Sequence, residues 1–508
     1  MTSETQRETE RKYEATAETR LPDLTRVREV ASAADRGTTT LDATYYDTPD
    51  LRLAADAVTL RRRAGGHDEG WHLKFPVAED VRDEIRAPLA DTLPGELAGL
   101  VRSRVRHASL APVVRLRTSR TVTHLLAPDG TLLAELALDS VRAHRLPDGP
   151  AATWTELEAE LADDADPEIL DRIEKRLRKA GIRPAASASK LARALEETGA
   201  AVTAATETPP IPGPGTAGAA VLEYVRAQVE ALVTLDPAVR RDLPDAVHQL
   251  RVACRRLRSA FTTYRRVLDR DTTDPLRDEL TWLAGELGRA RDLEVLDARL
   301  RKRVADLPRE LVLGPVKARL RRRDAARARS SRRQVLDALD SERYLDLLDR
   351  LHALLDAPPL RAAAAREAGE VLARAVRKDH RRLADRVERA LALDPGPERD
   401  LALHEARKAA KRARYAADAA RPTLGRPAKR LAKRVKAVQS LLGEHQDAVV
   451  ARAALRELAV QAHGAGESAF TWGLLYGREE AAAAEAARAL PGVWARARAR
   501  KSKAALTP

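Results

Sequence analysis

Aromatic residues make up only 3% of this 508-residue chain, which holds three phenylalanines, one methionine and one cysteine. So few large rings disfavour a large all-β protein and leave Ala, Leu and Arg to build helices packed through small aliphatic side chains. A lone Cys254 excludes an intramolecular disulfide and fits a reducing compartment, where it reads as an ordinary core residue. No apolar run is long enough to cross a bilayer, and the opening MTSETQRETERKYEA is polar and charged. The expectation is a cytoplasmic protein with no membrane partner.

The length exceeds what one core needs, so two or three domains are expected. Thr206–Gly215, TETPPIPGPG, carries four prolines and two glycines that cannot continue a helix. A linker over 201–216 therefore separates a first domain, 1–200, from a second, 217–505. Charge divides at the same place: residues 1–200 hold 30 Lys+Arg against 35 Asp+Glu, and the remainder 60 against 41. The basic second half attracts polyanions by releasing their condensed counterions, and charge alone does not choose between nucleic acid and polyphosphate.

In the first domain, short segments alternate with period two between charged and apolar residues, separated by turn signals at Thr48-Pro49-Asp50, Gly65-Gly66 and Asp129-Gly130. These predict an antiparallel sheet or barrel with peripheral helices at Leu21–Ser32, Gly95–Arg106, Pro167–Ala180 and Ser189–Glu197. Glu8, Glu10 and Lys12 share one strand face. The same holds for Arg61 with Arg63, His72 with Lys74, Arg82 with Glu84 and Arg86, Arg115 with Arg117, Glu135 with Asp139, and Glu156 with Glu158 and Glu160. The opposite faces are apolar, as in Trp71, Leu73 and Phe75. An ordinary sandwich shows the same alternation, so parity does not say which face points inward. Crowded carboxylates are relieved by a hard divalent cation, Mg²⁺ or Mn²⁺. Crowded arginines are relieved by a multiply charged anion whose oxygens suit guanidinium forks.

The ordered set E-x-E-x-K, YYDTPD, TLRRR, WHLKFP, ELALD, ELEAEL and a late S-K, running from Glu8 to Leu195, resembles a CYTH domain, the triphosphate tunnel metalloenzyme fold. The resemblance implies an eight-stranded antiparallel tunnel open at both ends with charged faces inside. It implies metal ligands Glu8, Glu10, Glu135, Asp139, Glu158 and Glu160, and phosphate contacts from Lys12, Arg61, Arg63, Lys74, Arg115, Arg117 and Lys190. Glu8, Glu10, Lys12 and Glu84 are the expected catalytic groups. Arg82, Arg86, Arg120, His72 and Glu156 have no fixed place relative to the site.

After the linker the period is helical, with breaks expected at Pro275, Pro308, Pro315, Pro358-Pro359, Pro395 and Pro422. The segment also repeats: AVHQLRVACRRLRSAF around His248 matches ALHEARKAAKRARYAA around His404, and LGRARDLEVLDARL matches LGEHQDAVVARAAL. Two tandem helical bundles follow, giving an α+β multidomain chain. His248, Arg251, Arg255 and Arg258 line one helical stripe, and His404, Arg407, Lys411 and Arg414 reproduce it. Like charges three and four residues apart cost helix stability unless an anionic partner offsets them.

These segments resemble a CHAD domain, a histidine-bearing helical domain that binds inorganic polyphosphate. The resemblance adds Arg256, Lys408 and Arg412 to the ligand face, with Arg377-Lys378, Arg381-Arg382 and Lys429 to Lys436 as extensions. Aromatics for base stacking are nearly absent, which disfavours nucleic acid. The combined expectation is a metal-dependent inorganic triphosphatase acting on tripolyphosphate or a related triphosphate, tethered to polyphosphate by its helical domain, with a granule association implied by the resemblance. The alternatives are a non-catalytic polyphosphate binder and a tunnel enzyme for an organic triphosphate: thiamine triphosphate, a nucleotide, or adenylate cyclisation.

Overall fold

Period-two alternation is realised as eight antiparallel strands: β1 (Glu4–Ala15), β2 (Ser32–Asp47), β3 (Thr59–Ala64), β4 (Gly70–Ala78), β5 (Val81–Ala87), β6 (Ala111–Leu126), β7 (Leu132–Arg145) and β8 (Ala151–Leu161). They close a barrel in the order β1-β5-β4-β3-β2-β6-β7-β8. Closure falls to β1, which pairs with β5 through Glu4 to Thr9 and with β8 through Glu10 to Ala15. This computed structural model describes residues 4–66, 68–200 and 213–498, without the side chains of 289–293 and 324–328. Most of the expected linker, 201–212, lies outside the described residues. The chain divides into two units, Met1–Thr206 and Glu207–Pro508.

In the first unit the barrel is inverted relative to an ordinary β core: most of the apolar strand faces point outward and are covered by helices. Val58, Leu60, Trp71, Leu73, Phe75 and Ile85 pack under α1 (Arg52–Ala55) and α2 (Gly95–Val105). Tyr13, Leu136, Leu157 and Ala159 pack under α3 (Glu168–Lys179) and a 3-10 turn at Leu24–Arg26. That short turn is all that forms of the helix expected over Leu21–Ser32: beyond it Val27 and Val30 are buried on either side of a further turn, and β2 begins at Ser32. The other three expected helices form.

One end of the barrel differs from the rest. There the inward residues Ala43, Tyr45, Val114, Leu116, Val141, Ala143 and Trp154 are apolar or aromatic and pack on Leu191, Ala194 and Leu195 of α4 (Lys190–Glu197). The implied opening at both ends is therefore corrected: α4, capped by the Ser189 hydroxyl on the Ala192 amide (3.1 Å), fills one of them.

The second unit is helical: α5 (Ala217–Arg240), α6 (Ala246–Thr263), α7 (Arg270–Ala305), α8 (Val316–Asp340), α9 (Glu342–Asp356), α10 (Ala368–Leu391), α11 (Pro397–Ala419), α12 (Arg421–Leu424), α13 (Arg426–Gly464) and α14 (Phe470–Arg498). The expected breaks hold except at Pro275, which is accommodated near the start of α7. The histidine-bearing helices α6 and α11 share one large core, with Leu250, Cys254 and Leu257 beside Ala406, Ala410 and Ala413. The Tyr264 hydroxyl donates to the Ala416 carbonyl (3.2 Å) across the two repeats. A second, smaller core joins the far halves of α7 and α13 to the start of α8 and α14, through Leu300, Leu320, Leu455 and Trp472.

Candidate functional sites: a charged barrel interior and a basic helical pocket

Strand register decides which side chains meet inside the barrel. Paired residues point to the same side of a sheet, so the cross-strand set Tyr45, Arg61, His72 and Arg86 forms one inward row. Lys74 sits opposite Glu84, Glu8 opposite Arg82, Glu10 opposite Glu160, Lys12 opposite Glu158, and Asp139 opposite both Glu156 and Arg120. Glu8, Glu84, Asp139, Glu156, Glu158, Arg63, His72 and Lys190 are all buried. Of these, Glu8, Glu158, Arg63 and Lys190 line a polar cavity of about 70 Å³.

Opposite charges alternate within it. Lys190 Nζ lies 2.9, 2.8 and 2.6 Å from carboxylate oxygens of Asp139, Glu156 and Glu158. Arg120 makes a fork to Asp139 (2.9 and 2.7 Å) and reaches Glu158 at 2.6 Å. Lys12 pairs with Glu158 and, at 3.2 Å, with Glu10; Lys74 pairs with Glu8, and Arg86 with Glu84. The repulsion read from single strands is thus relieved by neighbouring strands before any ligand arrives.

The ionisations follow from this mixture. Burial alone would raise Glu10, but the Lys12 and Lys74 ammoniums outweigh it and hold that carboxyl at about 2. Burial also opposes ionisation of Glu158, and Lys12, Lys190 and Arg120 overcome it. Glu160 lacks comparable partners: burial, with the Glu8 carboxylate beside it, pushes it to about 7.

One oxygen each from Asp139, Glu156 and Glu158 can lie within 4.8 Å of the others. These are hard, buried oxygen donors already gathered around a positive charge, that of Lys190, so they fit Mg²⁺ or Mn²⁺. Glu8, Glu10 and Glu160 line the adjoining wall of the cavity. Glu135 is held by His124 (3.1 Å) and does not join the triad.

Two expected phosphate contacts are corrected. Arg115 and Arg117 lie on the outer wall, 45% and 62% exposed, and pair with Asp42. They occupy the stretch of β6 where the inward parity is apolar, Val114 and Leu116, and meets α4. Arg120, further along the same strand on the inward parity, is the β6 arginine that lines the cavity. Arg82 and Arg86 line it as well, and Glu156 completes the acidic triad. Tyr45, Thr59, Asp68 and Ser189 also line it and were missed, because uncharged residues and a hairpin-loop aspartate carry no parity signal.

In the absence of metal, the Glu160 carboxyl favours the protonated folded state. Below about 4.5 both folded and unfolded chains carry the proton; from there to about 7 only the unfolded chain releases it, so stability falls as pH rises through that window. Glu160→Gln is expected to raise the melting temperature in EDTA at pH 8, by up to ~3 kcal/mol of stability, and to leave it unchanged at pH 4.5. Calorimetry at the two pH values checks the sign.

In the helical unit, both repeats contribute to one pocket of about 420 Å³. His248, Arg251 and Arg255 from α6 face His404, Arg407, Lys408 and Lys411 from α11, with Arg299, Gln446 and Asp447 on the wall. Gln446 Oε1 accepts from His404 Nδ1 at 2.7 Å, which places the proton on that nitrogen. The repeated Leu-Gly segments acquire a physical meaning here: Gly288 and Gly443 sit directly under the Arg251 and Arg407 side chains. Asp292, matched to Asp447 in the repeat, lies outside the described side chains.

Four expected ligands do not line this pocket. Arg256 reaches Gln228 (3.4 Å), Arg412 pairs with Asp379 (2.6 Å), and Arg414 lies over Tyr415 beside Asp418. Arg258 is half-buried, and burial lowers its pKa. Arg256 and Arg412 stand one position past Arg255 and Lys411, about 100° around the helix, whereas Arg258 and Arg414 keep to the same stripe one turn beyond the residues that line the pocket. Arg299 was missed because it belongs to neither histidine-headed stripe.

A Cβ at position 288 would stand 2.9 Å from Arg251 Nη2, whereas at 443 the nearest Arg407 atoms would be at 3.6 Å. Gly288→Ala is therefore expected to displace Arg251 and weaken anion binding several-fold. Gly443→Ala is expected to bind as wild type, with a gain of roughly 0.5–1 kcal/mol in helix stability. Parallel titrations and melts separate the two effects.

The family model of the CYTH domain matches residues 6–195, and that of the CHAD domain matches residues 223–456. The chain is 39% identical over 498 residues to an uncharacterized protein of Mycobacterium tuberculosis (strain CDC 1551 / Oshkosh), covering 95% of this chain and 94% of the relative. Among solved structures it is similar to the CHAD domain of the plant Ricinus communis, at 26% identity and a TM-score of 0.46, covering 58% of this chain and 97% of the other. A Hippeastrum protein described as revealing a dominant triphosphatase activity aligns at 19% identity and a TM-score of 0.23, over 38% of this chain and 96% of its own.

Proposed function

Because this chain belongs to the family that joins a CYTH domain to a CHAD domain, we propose that it is a divalent-metal-dependent inorganic triphosphatase whose helical domain binds polyphosphate and tethers the enzyme to it. The observation that carries the reading is the self-neutralised barrel interior. A lone anion entering it would strand the carboxylates, and a lone cation would strand the ammoniums and guanidiniums; a triphosphate accompanied by Mg²⁺ or Mn²⁺ satisfies both sets.

In this mechanism Lys12, Arg61, Arg63, Lys74, Arg82, Arg86 and Arg120 exchange their ion pairs with carboxylates for phosphate oxygens and fix the chain along the barrel axis. Asp139, Glu156 and Glu158, now paired with Lys190, would hold the metal, with Glu8 and Glu10 beside them. The metal supplies charge neutralisation at the phosphate oxygens. Water attacks the terminal phosphorus in line, the bond to the bridging oxygen breaks, and orthophosphate leaves with diphosphate. Glu160, with its proton affinity near neutrality, is suited to orient that water and accept its proton. Arg120 and Lys190 stabilise charge on the transferring group in a cavity that excludes most water.

Tyr45 is the aromatic residue among the described side chains lining the cavity, and its hydroxyl accepts from Arg61 at 3.4 Å. No stacking surface for a base or thiazolium ring accompanies it among those residues, which favours an inorganic chain over an organic triphosphate. The helical pocket, lined by cations from both repeats and without Phe, Tyr or Trp among its described residues, suits polyphosphate in the same way.

Phosphate release from tripolyphosphate with Mn²⁺ or Mg²⁺ tests the proposal. EDTA or Glu10→Gln is expected to abolish turnover, and Arg120→Ala to lower kcat about a hundredfold or more. Arg115→Ala, on the outer wall, should stay within about twofold of wild type, as surface substitutions away from a site do. Turnover unchanged by both chelation and Glu10→Gln would refute the enzyme and leave a binding module.

A further inference from the structure

The two halves of the helical pocket are not equivalent. At the spacing that relates the repeats, His248 matches His404, Arg251 matches Arg407, Arg255 matches Lys411, and Val295 matches Val450. Arg299 corresponds to Ala454, while Lys408 corresponds to Val252. Among the described side chains each wall therefore carries one cation that the other lacks, and they differ in chemistry: a planar guanidinium fork on one side, a mobile ammonium on the other. Lys408 is exposed and held only locally, by Glu405 at 2.8 Å.

Arg299 is held very differently. Its Nε and Nη2 donate to Glu479 Oε2 at 2.9 and 2.6 Å, and its Nη2 also reaches Glu444 Oε1 at 2.8 Å. Glu479 is fully buried and takes a further bond from Arg303 Nε at 2.6 Å. Withdrawing Arg299 from it would leave a carboxylate that cannot reach water with Arg303 as its remaining partner, so this contact persists. Glu444 is 51% exposed and can turn into solvent at little cost.

We propose that Arg299 is an anion-contacting residue of the helical pocket, oriented from behind by buried Glu479 and covered by Glu444 until a phosphate chain replaces that carboxylate. The exchange is favourable because a phosphate chain also engages Arg251, Arg255, Arg407 and Lys411, which line the same pocket. The assignment rests on the reading that this pocket takes polyphosphate.

The test is titration of the full-length protein with long-chain inorganic polyphosphate over a series of salt concentrations. Arg299→Ala is expected to weaken binding about tenfold and to reduce the slope of log affinity against log salt by about 0.7. Arg299→Lys should restore the slope but only part of the affinity. Glu444→Gln, an exposed change, should tighten binding about threefold without altering the melting temperature. Should Arg299→Ala fail to fold, the Glu444→Gln result decides. A wild-type protein that does not bind polyphosphate overturns the ligand reading and this assignment with it. A wild-type protein that binds, with Arg299→Ala and Glu444→Gln both at wild-type affinity and slope, overturns the assignment alone.

Discussion

Ionised side chains cannot be enclosed singly, and the barrel is organised around that constraint. Charged faces turned inward must neutralise one another, so carboxylates and cations arrive on adjacent strands in register: Lys12 against Glu158, Lys74 against Glu84, Arg120 against Asp139. Apolar faces turned outward must then be covered, which is why α1, α2 and α3 lie over β3 to β5 and over β1, β7 and β8. Where no such cover is present, on the outer side of β2 and β6, polar residues such as Asp42, Arg115 and Arg117 meet solvent. On the proposed function the same account makes the mixed interior a site, since paired charges can be exchanged for a guest that brings both signs.

Lys190 connects the two roles of α4. Leu191, Ala194 and Leu195 bury that helix in one end of the barrel, and the residue at its start delivers an ammonium to three carboxylates. In the helical unit a comparable economy appears without closure. Gly288 and Gly443 provide room on α7 and α13 for arginines from α6 and α11, so two stripes far apart in sequence line one pocket. Small side chains on α11, such as Ala406, Ala410 and Ala413, are fully used in the shared core.

Much of the candidate site was legible because strand parity and helical spacing are local properties. Glu8, Glu10, Lys12, Arg61, Arg63, Lys74, Glu158 and Glu160 follow from period two plus the resemblance to a tunnel fold, and all line the cavity. The arginines of β6 were misplaced for a reason parity cannot reveal. Its inward face is apolar where α4 enters and charged only beyond, so the same alternation means opposite things at the two ends of one strand. In the second unit, Arg256 and Arg412 belong to the right sequence segments but to another direction around the helix, and Arg258 and Arg414 keep the direction but lie a turn beyond the pocket.

The sequence by itself determined the two-part organisation, the strand and helix periods, the repeat, and the concentration of carboxylates, arginines and lysines on particular faces. Each of these is written in neighbouring residues or in one fixed spacing. Only the tertiary structure decided which face of each strand is enclosed, that cations and carboxylates neutralise one another across strands, and that Arg299 stands beside both histidine stripes. Those outcomes depend on which distant segments come into contact, and electrostatic energy is a property of the contact rather than of either segment alone.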